Sequence, residues 1–448
     1  MGLALRASRG KAESVMLGLI SFAISAHTFP IMPWTTVDGL CLVSVGSFLC
    51  LRRSNGTAKT LGYILLGCAC LCRQTYIAVI PLAAVVLGDW RRARYWLAAA
   101  APLAAYAAYL YSKGAVPSAM LQFSARSALI EVGVLNYLRE GKVAWAAIFG
   151  YFAMSLVIGV SRAGATSPKM SSLVKQAGVA LLYLVFVLCA AAIGFGKSSG
   201  AAFVLFGCAL GCVGRRALED GWLTEPVRAG TLALAIAWCA SISLGANTPA
   251  LAAGVFVPLI AAYCYTARPN GSAKVSGQRL RVVLTVGVAV LTMFSFARGR
   301  TRYVYRDRPA SELNRPLGQV LAGGNGIQTN EVTYNFLFDL DKAIEKCGTR
   351  EYAVVPDVAA HWIRSSQHNP LSIDWAQRAE LPIEPLMDRV IREIDERRGR
   401  VVVIVAKVRA RSLASAENPL DLPEEDISAH VRASWHKLDE TRYFDLYE

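Results

Sequence analysis

From Val15 to Phe296 the chain is a succession of apolar runs separated by short polar connections. The runs cover Val15–Thr28, Val37–Leu51, Thr60–Cys72, Tyr76–Leu87, Tyr95–Tyr111, Val143–Val160, Leu173–Phe195, Ala201–Val213, Ala229–Leu244, Ala250–Tyr265 and Val282–Phe296. Read as membrane spans they number about eleven, although several are shorter than the roughly 20 residues that a bilayer-crossing helix needs. The expected fold is a polytopic α-helical membrane protein over residues 1–297, followed by a small extracytoplasmic α/β domain over 298–448.

Composition supports that expectation. Of 448 residues, 54% are hydrophobic and 18% charged, and the mean hydropathy is +0.38. Ordinary soluble domains of this length are more polar. The net charge of +15 suggests a nucleic-acid partner until it is divided at residue 300. The first part then carries roughly 27 Lys and Arg against 8 Asp and Glu, and the remainder roughly 20 against 24. Basic connections between spans orient helices in a bilayer, so the expected partner is the lipid bilayer and no nucleic acid is called for. Arg6/Arg9/Lys11, Arg52/Arg53/Lys59, Arg91/Arg92/Arg94, Arg162/Lys169, Arg215/Arg216/Arg228 and Arg268/Lys274/Arg279 occupy alternate connections. These read as cytoplasmic. The expected location is the inner (cytoplasmic) membrane, crossed many times, with the N-terminus inside and the C-terminal domain outside.

Ten of the 11 cysteines precede residue 300, leaving Cys347 without a partner for a disulfide in the C-terminal part. Cys68, Cys70 and Cys72 are spaced by two, which on a helix points neighbours to different faces. They read as small apolar residues rather than ligands, and no metal or cofactor is expected. In the C-terminal part, helical periodicity at Ser311–Leu321, Glu331–Lys346, Leu386–Arg397 and Glu424–Leu438 alternates with β-rich runs at Gly326–Gln328, Tyr352–Val355, Val401–Ala406 and Tyr443–Tyr447. Such alternation predicts a mainly parallel sheet. Pro356-Asp357 reads as a strand end and helix cap, and Gly323–Gly326 as a turn.

One polar break stands out. Cys72-Arg73-Gln74-Thr75 separates two apolar runs, and a guanidinium there either snorkels to an interface or meets an anionic ligand. On the same expected side lie Trp34 and Asp38. Asp38 is either a dipole partner in a helix's first turn or a carboxylate that binds or deprotonates a hydroxyl acceptor. Arg73, Arg126 and Arg139 are the candidates to hold a phosphate. Trp34 stacks on a sugar or anchors at an interface. The segment Val116–Gly141 predicts an amphipathic surface helix, or a plain helical connector. Asp374 and Trp375 either touch a saccharide or belong to a loop capped by Asn369-Pro370 around a buried tryptophan.

The runs His27–Gly39 and Leu66–Pro81, joined by a basic turn, resemble multi-spanning glycosyltransferases of the GT-C class over Ala12–Leu87. The resemblance implies transfer of a sugar from a polyprenyl-phosphate carrier to a glycan or lipid acceptor at the outer face of the membrane. Asp38 matches the family's Asp-Gly position, not its base, and so lies close to the implied site; with the residues read on their own chemistry, the candidate site has Asp38 at its catalytic end and Trp34, Arg73, Gln74, Arg126 and Arg139 in substrate binding. The family's acidic loop, which carries its base, has no counterpart here, so the chain resembles a member lacking the first helix pair. A polysaccharide polymerase or ligase, a lipid-linked-sugar flippase or transporter, and a non-catalytic membrane protein are the alternatives.

Overall fold

The computed structural model describes residues 11–26, 35–51, 56–125, 149–150, 153, 184–192, 194–195, 198–222, 224–241, 253–265, 274–304, 307–356, 358–363, 365–377, 381, 383–408, 413 and 426–448. The chain divides into two compact units, Met1–Val116 with Ala128–Gly299, and Pro117–Ser127 with Arg300–Glu448.

The first unit is helical among the described residues. Its elements are α1 (Lys11–Ala26), α2 (Thr35–Leu51), α3 (Gly56–Cys72), α4 (Val79–Val86) and α5 (Ala93–Ser112). A further helix, α6 (Val116–Ala125), begins at its boundary; α7 (Ser198–Asp220), α8 (Glu225–Ser241), α9 (Phe256–Tyr265) and α10 (Lys274–Arg302) follow. Small residues set how closely these helices approach. A Cβ on Gly46 would stand 2.8 Å from the Gly62 carbonyl oxygen, and one on Gly62 would stand 2.7 Å from that of Gly46. Only paired glycines allow α2 and α3 to come that near. Around this contact the core is filled by Val43, Cys50, Tyr63, Leu66, Cys70 and Tyr76.

The expectation of about eleven spans is corrected here. Among the described residues two helices are long and apolar enough to cross a membrane, within Gly200–Leu218 and Val282–Arg302. Most of the others fall short in length: α2 and α3 have 17 residues each and α4 has 8, while α5, with 20 residues, falls short in apolar character. At 1.5 Å per residue, 17 residues reach about 25 Å, less than the roughly 30 Å of a bilayer's hydrocarbon core. Runs that were counted as crossings by composition are in part short helices packed against one another, as burial of Tyr63, Leu66, Val79 and Ile80 shows. The multi-pass inner-membrane location, with its inside N-terminus and outside C-terminal domain, rested on that count and falls with it. The expected runs Val143–Val160 and Leu173–Phe195 lie largely outside the described residues.

In the second unit a four-stranded sheet carries helices on both faces. Its strands are β3 (Glu351–Val355), β4 (Val401–Ala406), β5 (Lys437–Glu440) and β6 (Phe444–Tyr447), in the spatial order β3-β4-β6-β5. Only β3 and β4 are parallel, with Tyr352 opposite Val402; β4 with β6 and β6 with β5 are antiparallel. The sheet is therefore mixed, not mainly parallel. A β-hairpin rather than a crossover joins the last two strands, because only Thr441-Arg442-Tyr443 separates them. A separate two-stranded pair joins β1 (Arg315–Pro316) to β2 (Gln328–Thr329). The expected helix over Ser311–Leu321 is replaced by two short 3-10 turns flanking β1, since Pro316 and Gly318 interrupt helical pairing.

Alternation decides which side chain faces which helix. Tyr352, Val354, Val402, Ile404, Phe444 and Leu446 meet Phe336, Leu337 and Leu340 of α11 (Glu331–Cys347). Ala353, Val355, Val401, Val403 and Val405 meet α13 (Glu384–Asp395) and α14 (Asp426–Ser434) on the opposite face; a short helix, α12 (Ala359–Trp362), precedes α13. Asn330 caps α11, its side-chain oxygen accepting the Thr333 N–H at 2.8 Å. Leu121 of α6 packs against the α13 side of the sheet, and Ser118 Oγ accepts from Arg389 Nη1 at 3.0 Å. The expected surface helix at 116–141 is thus described over Val116–Ala125 as part of this unit; residues 126–141 lie outside the described residues.

Candidate functional site

The polar break between the apolar runs is a structural joint. α3 ends at Cys72, Arg73 takes an extended conformation (φ −155, ψ 122), and a 3-10 turn over Gln74–Ala78 leads into α4. The Arg73 amide still donates to Ala69 O at 3.0 Å, and the Arg73 carbonyl accepts from Tyr76 N at 3.2 Å. Because α2 and α3 are antiparallel, the start of α2 lies beside this joint. Arg73 Nη1 donates to Thr36 Oγ1 at 2.7 Å, and Tyr76 Oη donates to the Thr36 carbonyl at 3.3 Å. Thr75 Oγ1 ties the turn to Cys239 O of α8 at 2.6 Å. Tyr76 is fully buried, with its ring against Gly39, where a Cβ would clash.

The half-buried guanidinium is consequently tied to Thr36, while Gln74, next to Arg73 in the chain, and Asp38, two residues after Thr36, are exposed. Asp38 sits in the first turn of α2, where a carboxylate favours the positive end of the helix dipole. The structure joins Arg73 to Thr36 by a hydrogen bond. Trp34, Arg126 and Arg139 lie outside the described residues. Apolar side chains are exposed nearby in the chain: Val37 at 38%, Leu71 at 43% and Ile77 at 59%.

A second polar cluster occupies the other end of α3 and was missed from the sequence. Lys59 Nζ lies 2.6 Å from Asp89 Oδ2, whose side chain is 2% exposed. Tyr63 Oη donates to the same oxygen at 3.4 Å, and Arg92 Nη1 stands 3.5 Å from Oδ1. Tyr63 and Tyr95 stack with centroids 4.9 Å apart, and the Arg94 guanidinium lies 4.5 Å from the Tyr95 centroid. Sequence hinted at it only through a lone acid in the basic connection Asp89–Arg94.

In the second unit Tyr352 Oη shares a hydrogen bond of 2.8 Å with His361 Nε2, and Trp362 stacks on Tyr352 at 5.5 Å. Burial holds the His361 imidazole below its ordinary range. Asn369 Nδ2 donates to Asp374 Oδ1 at 2.8 Å and to Ile373 O at 3.0 Å, closing the expected loop. Trp375 is 41% exposed, so it does not anchor that loop from inside. Among the described residues no group of three or more His, Cys, Asp or Glu is placed to hold a metal ion. Cys68, Cys70 and Cys72 are free thiols.

No protein-family model matches this chain, and neither does any curated protein or solved structure. Membership of the GT-C glycosyltransferases, expected from short blocks within Ala12–Leu87, therefore has no support at the level of family or fold. Sugar transfer from a polyprenyl-phosphate carrier is corrected with it, as are the polymerase, ligase, flippase and non-catalytic membrane-protein readings drawn from the same picture. The physical reason lies in what those blocks contain. Gly39, Gly62, Gly67 and Tyr76 are placed by helix packing, which gives closely packed apolar helices similar local sequences whatever their chemistry.

Proposed function

We propose that the Thr36–Arg73 end of the helical unit binds an amphiphile carrying a phosphate group. The observation that carries this reading is the guanidinium fixed by Thr36 at 2.7 Å on a joint of extended backbone. An arginine held in advance loses less conformational freedom when it meets an oxyanion, and its planar fork suits phosphate oxygens. Gln74, exposed on the following turn, adds an amide donor. The exposed side chains of Val37, Leu71 and Ile77 supply apolar surface for the body of such a ligand, which favours an amphiphile over a free inorganic anion. Asp38 supports the start of α2 and sits among the ligand's surroundings; the reading is one of binding, with no transfer step attached to it.

The test compares a short prenyl phosphate with the corresponding prenyl alcohol for binding to the purified chain. The phosphate binds more tightly, Arg73→Ala removes that difference, and Thr36→Val weakens it while the alcohol is unaffected. Equal binding of phosphate and alcohol to the unaltered chain would refute the reading.

A further inference from the structure

We propose a second binding site, for a phosphate-type oxyanion, where Lys59, Arg92 and Arg94 meet at the other end of α3. Two helices start there side by side. Tyr63 stacks on Tyr95 and Gly67 lies against Ala99, so α3 and α5 advance in the same direction and their N-terminal ends share one side. Those ends carry the positive poles of the two helix dipoles, where acidic side chains are the favourable occupants. This chain puts cations there instead. Lys59 is in the first turn of α3 and Arg94 in the first turn of α5. A Cβ on Gly56, the first residue of α3, would stand 3.7 Å from both terminal nitrogens of Arg94. At the start of α5 the N-cap residue is Arg92, which makes no side-chain capping bond.

The carboxylate in the cluster is already engaged. Asp89 is buried and shared among Lys59, Tyr63 and Arg92, leaving three named cations around one acid. Arg92 is 56% exposed at the rim. Arg94 is oriented by a hydrogen bond from Nη2 to Tyr95 Oη of 2.6 Å and by the ring beneath it. Oriented arginines, a neighbouring ammonium and two helix N-termini on one side are the elements from which phosphate sites are assembled. A divalent oxyanion balances the surplus charge that Asp89 alone does not. The same chemistry is offered by a soluble phosphate compound or by a phosphate headgroup on a lipid.

Equilibrium dialysis of the full chain with inorganic pyrophosphate, and co-sedimentation with phosphatidylcholine vesicles with and without phosphatidate, test the site and separate the two sources. The Arg92→Gln/Arg94→Gln double variant is expected to bind the effective probe at least about tenfold more weakly. Arg91→Gln is the control, because Arg91 lies over Trp90 at 4.4 Å, and it leaves binding unchanged. Arg94→Lys, which keeps the charge, retains part of the affinity, and circular dichroism checks that each variant is folded. Binding of pyrophosphate assigns a soluble ligand; binding only to phosphatidate vesicles assigns a headgroup. Phosphatidate is itself a phosphate-bearing amphiphile, so the vesicle comparison is made in the Arg73→Ala background, where binding at this cluster persists; failure here is thereby distinct from failure at the Thr36–Arg73 end. Binding of neither probe, or binding indifferent to the double variant in a folded protein, overturns the proposal.

Discussion

Lys59 and Asp89 stand 30 positions apart in the chain, yet their charged atoms meet at 2.6 Å beneath the Tyr63–Tyr95 stack. The pair locks the start of α3 to the connection that leads into α5. Its value lies in the penalty for breaking it: a buried charge left without its partner costs about 3–5 kcal/mol. Lys59 retains some solvent, with 16% of its side chain exposed. Asp89→Leu, which strands the ammonium, is therefore expected near the lower end of that range. The double change Lys59→Met/Asp89→Leu recovers much of the loss, as chemical denaturation of the three proteins will report.

Gly67 gives a steric prediction with an internal control. A Cβ there would run into the Ala99 carbonyl and come within 3.2 Å of Pro102 Cδ. Backbone cannot yield as a flexible side chain can, so Gly67→Ala should destabilise the helical unit by about 1–3 kcal/mol. Gly18, inside α1, meets nothing within 4 Å of its would-be Cβ. Gly18→Ala is expected to stabilise by up to about 1 kcal/mol through helix propensity. A shift of the two midpoints in the same direction would refute the packing argument.

His361 and Asp395, both in the second unit, respond to acid at different pH. Burial lowers the pKa of His361 from 6.5, so protonation favours the unfolded chain. Its contribution is fully present above pH 6.5 and is lost as pH falls from there through the folded value. For Asp395, burial alone would raise the pKa from 3.8, but hydrogen bonds from Trp435, His430 and Arg398 outweigh it and the net shift is downward. Its contribution is present above pH 3.8 and lost only as pH falls through the lower folded value. His361→Gln keeps a polar partner for Tyr352 and removes the titration. Its stability profile should flatten just below pH 6.5, while the loss in the acid range persists; an unchanged slope below pH 6.5 rules His361 out as the source.

How much of this was legible depended on whether the signal was local. β4 was readable because Val401–Ala406 is apolar throughout and buried on both faces, and the periodicity of Glu331–Lys346 matches α11, which ends one residue later at Cys347. β5 was invisible: Lys437–Glu440 is exposed along its length and charged at every position but Leu438, as edge strands often are, and its first two residues fall within the expected helix over Glu424–Leu438. Apolar runs were over-read as crossings because composition alone does not separate a short helix packed on its neighbours from one long enough to span a bilayer. Arg73 announced itself as a break in apolar sequence. Its partner Thr36 did not, nor did the Lys59–Asp89 pair, since both depend on which helices lie side by side.

The C-terminal unit is discontinuous in sequence, and that yields a test of its assembly. α6 belongs to it from Pro117 onward, with Leu121 in the apolar contact and Ser118 bonded to Arg389. Arg389 Nε also donates to Glu393 Oε1 at 3.0 Å, and Glu393 Oε2 accepts the Ser372 amide at 2.9 Å. Burial opposes the ionised form of Glu393, but these hydrogen bonds prevail and its pKa is lowered. Leu121→Asp places a charge in the apolar contact beside this network and should destabilise the unit by about 1–3 kcal/mol. Ser118→Ala removes one hydrogen bond and should cost about 1 kcal/mol. Limited proteolysis reads the difference directly: cleavage within 117–125 should accelerate strongly in the Leu121 variant and slightly in the Ser118 variant. Residues 300–448 prepared alone should melt lower than the same segment mixed with a peptide covering 116–127. Identical melting with and without the peptide would mean that α6 contributes nothing to this unit.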